Sequence, residues 1–299
     1  MIRTYQLMEN KKLSIIIPAY NEADSLKVFM PKILEFCNEH NFELIIVDDG
    51  SKDDTKQVCM EYQNRNNFTL ISYRVNKGYG GAIKSGVREA KTDYLITIDA
   101  DGQHNFEDVL VLFNKIEETN ADMIVGSRNK KDDASLYRSF GKSIIRTIAK
   151  IALPMDIYDI NSGMKIYNTD LAKKYIKLCP DNMAYSETIL MVFVNFKHYV
   201  IEHPITINQR ISGKSTIGTI TALETIQEII NIIILFNPLK FFIPASIVVL
   251  LISIGWGIPI ILRDDGVSVG TMLGILTSFL IFSIGLLAEQ ISRIRKTII

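Results

Sequence analysis

Two long uncharged stretches near the end of the chain constrain its architecture more than any other feature. They run from Phe241 to Leu262 and from Val267 to Ala288. As helices, each would extend roughly 33 Å, which is enough to cross a hydrocarbon core of about 30 Å. Only Arg263 to Gly266 lie between them, so the two helices must form an antiparallel hairpin. We therefore predict a transmembrane hairpin over residues 239–299, because core helices of soluble proteins rarely run so far without a polar break.

Positive charges are concentrated at one end of the predicted hairpin. Lys240, Arg293, Arg295 and Lys296 flank the open end, whereas Arg263 lies alone at the tip. Since cytoplasmic flanks carry an excess of Lys and Arg, this asymmetry predicts that both termini and the domain before the hairpin are cytoplasmic.

A helical pattern precedes the first apolar stretch. Within residues 216–238, apolar side chains such as Ile226 and Ile230 fall on one helical face, and Glu224 and Glu228 fall on the other. This period predicts an amphipathic helix. It would lie either in the headgroup layer of the membrane or against the soluble domain.

The charge balance excludes one large class of partner. The chain has 299 residues, with 33 Lys and Arg against 33 Asp and Glu. No global positive field is available to recruit nucleic acid, so none is expected as a partner. The three cysteines are far apart in the sequence, as is typical of buried thiols in a reducing compartment.

Residues 1–215 show strands alternating with helices, which predicts an α/β fold with a doubly wound, mostly parallel sheet. The helices are expected near residues 25–39, 53–66, 81–90 and 106–119. The strands are expected at Leu13–Ile17, Phe42–Val47, Phe68–Tyr73, Asp93–Ile98 and Met123–Val125. A dinucleotide-binding fold is disfavoured because Pro18 to Glu22 stand where its glycine-rich turn should open the first helix.

An acidic motif directly follows the fourth predicted strand. In an extended segment Asp99, Asp101 and Gln103 would project to the same side. Three hard oxygen donors at the carboxyl end of a parallel strand predict a divalent-metal site. An EF-hand calcium loop does not fit, because Leu110 occupies the position that needs a bidentate Glu.

Seven short motifs together resemble the family 2 glycosyltransferases of GT-A fold, and within them the polyisoprenyl-phosphate glycosyltransferases typified by dolichol-phosphate mannosyltransferase. They occur in the family's order and cover roughly the first 215 residues. The motifs are Ile16-Ile-Pro-Ala-Tyr-Asn-Glu22, Val47-Asp-Asp-Gly-Ser51, Asn76-Lys-Gly-Tyr-Gly-Gly-Ala82, Asp99-Ala-Asp-Gly-Gln-His104, Gly126-Ser-Arg128, Asp159-Ile-Asn-Ser-Gly163 and Arg210-Ile-Ser-Gly-Lys-Ser215.

The resemblance implies a site for a nucleotide sugar. It places Mg²⁺ or Mn²⁺ on Asp99, Asp101 and Gln103, bridging the donor pyrophosphate, with Asp101 essential for catalysis. The other residues implied to contact the donor are Pro18, Tyr20, Glu22, Asp48, Asp49, Lys77 and Gly78.

The resemblance also implies a second group of residues that face phosphate groups and the acceptor. Arg128 and Arg210 would stabilise the reacting phosphates, and Asp159 would orient the acceptor or act as a weak base. Gly163 departs from one branch of the family, which has an acidic residue there. The remaining phosphate or acceptor contacts are Arg138, Lys142, Arg146, Ser162, Lys214 and Ser215.

The implied reaction is transfer of a hexose from UDP-glucose, UDP-N-acetylglucosamine or GDP-mannose to a dolichyl or undecaprenyl phosphate, with inversion at the anomeric carbon. Other family 2 enzymes that act on a polysaccharide or glycolipid, and a non-catalytic nucleotide-sugar-binding membrane protein, are the alternatives. The oligomeric state is open, since relatives with a membrane hairpin can be homo-oligomers. The histidines are unremarkable as ligands, and the side chain of His104, which adjoins the acidic motif, is expected to point away from Gln103.

Overall fold

The computed structural model describes residues 12–128, 157–160, 162–206, 230–231, 234–263 and 266–298. The chain divides into two compact units. The first unit contains a mixed sheet covered by helices, and the second contains two long helices. Most of the predicted amphipathic helix at 216–238 lies outside the described residues.

Seven strands form a single sheet in the first unit, in the order β3-β2-β1-β4-β6-β5-β7. Strands β1 to β4 are mutually parallel, and β7 is parallel to β5. The strand β6 lies between β4 and β5 and is antiparallel to both. The strands are β1 Leu13–Ala19, β2 Glu43–Asp48, β3 Phe68–Ser72, β4 Tyr94–Thr97, β5 Met123–Arg128, β6 Lys165–Asn168 and β7 Val200–Ile205.

Helices cover the sheet and leave the carboxyl ends of its parallel strands to form the site. The predicted doubly wound, mostly parallel sheet is confirmed. The helices of this unit are α1 Ala23–His40, α2 Thr55–Met60, α3 Tyr79–Glu89, α4 Phe106–Thr119, α5 Thr169–Tyr175 and α6 Tyr185–Asn195.

The central strands form because their residues are apolar on both faces, as a sheet covered on both sides requires. Ile15, Ile16 and Ile17 of β1 are fully buried, as are Ile45 and Ile46 of β2. The helix α3 packs very closely on this layer. A Cβ at its Gly86 would lie 2.5 Å from Ile16 Cγ2, so this contact requires a glycine.

The second unit contains the helices α7, Leu239–Ile261, and α8, Val269–Ile298. Both are long and apolar enough to cross a membrane. The two helices contact each other through small residues. A Cβ at Gly257 would meet Thr271, and a Cβ at Gly274 would lie 2.8 Å from Ser253 Cβ, so a larger side chain at either glycine would push the helices apart. Helix α7 continues through Pro244, and α8 extends beyond the predicted end at Ala288.

Candidate active site

Asp48 and Asp49, at the carboxyl end of β2, are both buried and both bind neighbouring loops. The Asp48 carboxylate accepts hydrogen bonds from Ser51 N at 3.0 Å and Ser72 Oγ at 2.9 Å. Asp49 accepts one from Lys77 N and one from Gly78 N, each at 2.8 Å. These bonds fix the loop that leads into α3, and each carboxylate oxygen keeps a second lone pair with which to accept from a ligand.

The residues at the end of β1 and just after it place apolar, aromatic and acidic side chains beside these aspartates. Pro18 is half-buried within β1, and the Tyr20 side chain is 42% exposed, as a residue that stacks on a base would need to be. Glu22 is held in place, because its Oε2 accepts a hydrogen bond from Ser25 Oγ at 2.8 Å and its N–H donates to Thr55 Oγ1 at 2.9 Å.

The loop before α3 adopts a conformation that only glycine tolerates well. Gly78 has φ of 90°, and a Cβ there would overlap Asp181 O. The ammonium group of Lys77 lies 3.3 Å from the centre of the Tyr73 ring, a cation–π contact. The predicted donor contacts of Lys77 and Gly78 stay predictions.

The acidic motif is a turn rather than an extended segment. The strand β4 ends at Thr97, and the chain then turns at residues 100–102, where Gly102 has φ of 74°. The prediction that Asp99, Asp101 and Gln103 project to the same side of an extended segment is therefore wrong, because this segment is not extended. The turn itself brings two of them together, since Asp101 Oδ1 accepts a hydrogen bond from Gln103 N at 3.1 Å.

The Asp99 carboxylate is surrounded by three residues that the sequence did not assign to it. Tyr79 Oη donates to its Oδ1 at 3.1 Å, and His104 Nε2 lies 3.5 Å from its Oδ2. A Cβ on Gly163 would lie 2.5 Å from Oδ2, so a glycine is needed there. Burial alone would raise the pKa of Asp99, but His104, Tyr79 and the charge of Lys165 together hold it below its ordinary value.

His104 is a neighbour of Asp99 that the alternation of an extended segment did not predict. The turn at Gly102 changes the direction of the chain, and His104 reaches Asp99. Its other nitrogen, Nδ1, is buried and has no hydrogen-bond partner among the described residues.

The acidic turn suits a magnesium or manganese ion. It offers two carboxylates and an amide, and these hard oxygen donors are the ligand type that both ions prefer. No group of three His, Cys, Asp or Glu residues is arranged for a metal within the described part of the chain. Mg²⁺ does not need one, because it is commonly bound by one or two carboxylates together with substrate phosphates.

Arg128 and Asp159 form a two-pronged ion pair at the end of β5. Arg128 Nε and Nη2 each lie 2.7 Å from a different oxygen of Asp159, and Arg128 N donates to the same carboxylate at 3.0 Å. The Glu202 carboxylate of β7 fixes the backbone at Asp159, because it accepts hydrogen bonds from Asp159 N at 2.8 Å and from Tyr158 N. Burial would raise the pKa of Asp159, but the Arg128 guanidinium holds it below its ordinary value.

Ser162 is placed differently from the prediction that it contacts phosphate. It is buried, and its hydroxyl exchanges hydrogen bonds with the backbone of Met164. The other predicted phosphate contacts lie outside the described residues: Arg138, Lys142, Arg146, Arg210, Lys214 and Ser215.

The segment before β6, residues 157–160 and 162–164, joins the two halves of the site. One end carries Asp159, which binds Arg128, and the other carries Gly163, which packs on Asp99. Because β6 runs antiparallel between β4 and β5, its first residue lies at the edge where those strands end. The acidic turn and Arg128 therefore lie at the same edge of the sheet and are linked by this segment.

A sequence model for glycosyl transferase family 2 matches residues 14–176, which is more than half of the chain. The chain belongs to glycosyl transferase family 2. A second model, the GtrB C-terminal hairpin, matches residues 237–294. Together with the two apolar helices, this match indicates that the chain is associated with a membrane.

Relatives of this glycosyltransferase act on lipid phosphates, according to their names. Dolichyl-phosphate beta-glucosyltransferase of Dictyostelium discoideum is 32% identical over 193 residues, 56% of this chain and 59% of that protein. The chain thus matches less than two thirds of that relative. Undecaprenyl-phosphate 4-deoxy-4-formamido-L-arabinose transferase of Proteus mirabilis is 27% identical over 95% of this chain and 89% of that protein.

Two solved structures support the fold. Glucosyl-3-phosphoglycerate synthase of Mycobacterium tuberculosis matches with a TM-score of 0.58 at 14% identity, covering 75% of this chain and 80% of that one. Residues 1–349 of TarS from S. aureus match with a TM-score of 0.54 at 18% identity, covering 76% and 66%. The GT-A fold implied by the sequence motifs is therefore confirmed.

Proposed function

We propose that this glycosyltransferase transfers a hexose from a nucleotide sugar to a polyisoprenyl phosphate. The product is a lipid-monophosphate sugar with the opposite anomeric configuration to the donor. The names of the relatives support a polyprenyl-phosphate acceptor, and they make glucose the first sugar to test. The apolar hairpin supports a membrane lipid as acceptor, because it keeps the chain at the membrane.

The observation that carries this proposal is the arrangement of Arg128. Its guanidinium is aimed by a buried carboxylate, and the same segment of chain packs on Asp99. The Arg128 side chain is 44% exposed. An oriented, partly exposed Arg is well suited to binding phosphate.

The chemistry of the acceptor removes the need for a strong base. A lipid monophosphate is already an anion near neutral pH and attacks the anomeric carbon directly. The Asp159 carboxylate is bound at both oxygens by Arg128, and its pKa is lowered. Its role in this reaction is therefore to orient Arg128 rather than to accept a proton.

The enzyme is further proposed to use Mg²⁺ or Mn²⁺, held by Asp99 and Asp101 with Gln103. When bound, such an ion neutralises the charge that develops on the leaving nucleoside diphosphate. The chain's own contribution is to hold both carboxylates in place. Tyr79 and His104 do this for Asp99, and the backbone of Gln103 does it for Asp101.

The excess of positive charge at the open end of the hairpin supports a cytoplasmic catalytic unit and cytoplasmic termini. The sugar would then be transferred on the face of the membrane where nucleotide sugars are made.

The test is transfer of radiolabel into lipid that is extractable by organic solvent. The purified full-length protein is incubated with Mg²⁺ or Mn²⁺, a polyprenyl phosphate and, in turn, UDP-glucose, UDP-N-acetylglucosamine and GDP-mannose. We expect one donor to yield a β-linked lipid monophosphate sugar and free nucleoside diphosphate, with the linkage read from NMR coupling constants. A labelled polymer, an α-linked product or absence of transfer with every donor would contradict the proposal.

Asp101→Asn tests the proposed metal site. The substitution preserves shape but removes one negative charge, and metal stabilisation of the leaving group contributes several kcal/mol. We expect transfer to fall by about 1,000-fold or more, which corresponds to roughly 4 kcal/mol, and a chelator to have the same effect on the wild type. Asp24→Asn is the matched control, because Asp24 is an exposed residue of α1. Wild-type transfer by a folded Asp101→Asn protein would refute the metal assignment.

A further inference from the structure

Lys165 is a charged residue at the centre of the catalytic sheet. It is the first residue of β6 and pairs with Thr97 of β4 on one side and Val125 of β5 on the other. Only 1% of it is exposed. Lysine is almost never buried this deeply unless its charge is paired and its N–H groups are bonded, because desolvating an ammonium group is costly.

The hydrogen bonds of Lys165 converge on the segment before β6. Its Nζ donates to Ser162 O and to Ser186 Oγ, the latter at 2.5 Å. Ser186 Oγ in turn donates to the same Ser162 oxygen at 2.6 Å. A further bond, from Thr97 Oγ1 to Gly163 O at 2.9 Å, holds the next residue.

The charged groups around Lys165 belong to both halves of the site. Glu187, Asp159 and Asp99 stabilise the ammonium form, whereas burial and Arg128 oppose it and leave the pKa of Lys165 at about 8. The Lys165 charge also lowers the pKa of Asp159. The same ammonium group donates to Ser162, next to the glycine that packs on Asp99, so one buried cation contacts the segment that joins both halves of the site.

We propose that Lys165 is a positioning residue of the transfer reaction. By its hydrogen bonds Lys165 fixes the segment before β6. In this way it determines the position of the Asp159–Arg128 pair relative to Asp99. The inference rests on the proposed function, because the quantity that Lys165 controls is alignment of the acceptor phosphate with the bound donor. Misplacement of about 1 Å at such a site can cost about 100-fold in rate.

Lys165→Met is the main test, since it keeps the length of the side chain and removes its charge and hydrogen bonds. The full-length protein is assayed for kcat and for the KM of polyprenyl phosphate, and nucleoside diphosphate affinity is measured separately by calorimetry. We expect kcat/KM for the lipid to fall by about 10- to 100-fold, the range seen when supporting residues around a site are removed. Nucleoside diphosphate affinity measured without a divalent ion should stay within about twofold, because the hydrogen bonds that hold Asp48 and Asp49 come from residues 51, 72, 77 and 78 rather than from Lys165.

Lys173→Met is the matched control. Lys173 also donates to a backbone carbonyl, Ala90 O, at 2.6 Å, but Ala90 lies at the other end of α3 from Gly78. This variant should keep wild-type kinetics. Ser186→Ala is a second test that does not depend on the folding of Lys165→Met. It removes one partner of Lys165 and should lower kcat/KM for the lipid severalfold.

The two proposals fail in different ways. If the wild type transfers no sugar to any polyprenyl phosphate, the proposed function fails and the role of Lys165 fails with it. If the wild type is active and Lys165→Met has wild-type kinetics for the lipid, only the role of Lys165 is refuted. Equal losses of nucleotide affinity and lipid kinetics would show a merely structural lysine. Should Lys165→Met not fold, wild-type kinetics in Ser186→Ala would refute the role.

Discussion

At the scale of single residues, the site contains two carboxylates, Asp99 and Asp159, whose neighbours favour the anion. The motif positions themselves, such as Asp99 and Asp159, were predicted from the sequence. Their partners were not. Tyr79 and Lys165 belong to other segments, so only folding brings them to these carboxylates. His104 lies in the same motif as Asp99, but it reaches the carboxylate only because the chain turns at Gly102. A lysine at the start of a strand otherwise resembles an ordinary surface charge.

The Asp159–Arg128 pair predicts how acid affects stability. The pKa of Asp159 is lowered in the folded state, so its stabilising effect is full above the unfolded pKa of about 3.9 and is lost as the pH falls through the folded pKa. Asp159→Asn should therefore lower the free energy of unfolding by about 1 to 3 kcal/mol near neutral pH. Below about pH 4 the difference from the wild type should shrink. Melting temperatures measured from about pH 7 down to about pH 3 check this, and a difference that does not depend on pH would contradict it.

Gly163 predicts a substitution that damages activity more than stability. A Cβ at this position would lie 2.5 Å from Asp99 Oδ2, so Gly163→Ala must displace the carboxylate. We expect transfer to fall by about 10- to 100-fold. Gly86→Ala introduces a Cβ at the same distance from Ile16 Cγ2 in the core, so it should lower the melting temperature and leave the activity of the folded fraction unchanged. Equal effects of the two substitutions on activity would contradict this assignment.

At the scale of elements, the five strands predicted from apolar runs were found, and the two more polar strands, β6 and β7, were missed. β6 has four residues and begins with Lys165, and β7 includes Glu202, His203 and Pro204. Neither shows the apolar run or clean alternation by which a strand is recognised in a sequence. Both are held by their partners in the sheet, which is information that the local sequence does not contain.

The membrane hairpin predicts a contrast between two glycines. Gly274 of α8 faces Ser253 of α7, whereas a Cβ on Gly255 would meet nothing within 4 Å. Gly274→Leu should separate the helices and destabilise the hairpin by about 1 to 3 kcal/mol, as overpacking typically does. Gly255→Leu should have little effect. Melting of the purified proteins in the same detergent compares them, and equal melting temperatures would contradict the packing described here.

At the scale of the whole molecule, composition alone separated an α/β unit from an apolar hairpin, because the change in charge density is abrupt. The three native cysteines, Cys37, Cys59 and Cys179, are all buried. Burial raises the pKa of both the Cys59 and the Cys179 thiol to about 12, so neither is reactive near neutral pH. The wild type should therefore react little with thiol reagents, so introduced cysteines can show on which face of the membrane each unit lies.

Two introduced cysteines test the proposed topology. Val267, between α7 and α8, and Met60, at the end of α2, are both exposed. In intact cells, a membrane-impermeant maleimide should label Val267→Cys and should label Met60→Cys only after the cells are opened. The reverse pattern would place the catalytic unit outside the cytoplasm, and labelling of both in intact cells would rule out the hairpin.

The reversed direction of β6 separates two kinds of residue along the chain. Those that follow the ends of β1, β2 and β4 all precede Asn105, whereas the segment that orients Arg128 comes just before β6 begins. Under the proposed function, a single genetic crossover between these stretches would exchange the residues for one substrate and leave those for the other intact. Sugar and lipid preference could then change separately in this chain, provided that the residue at position 163 still accommodates the Asp99 carboxylate.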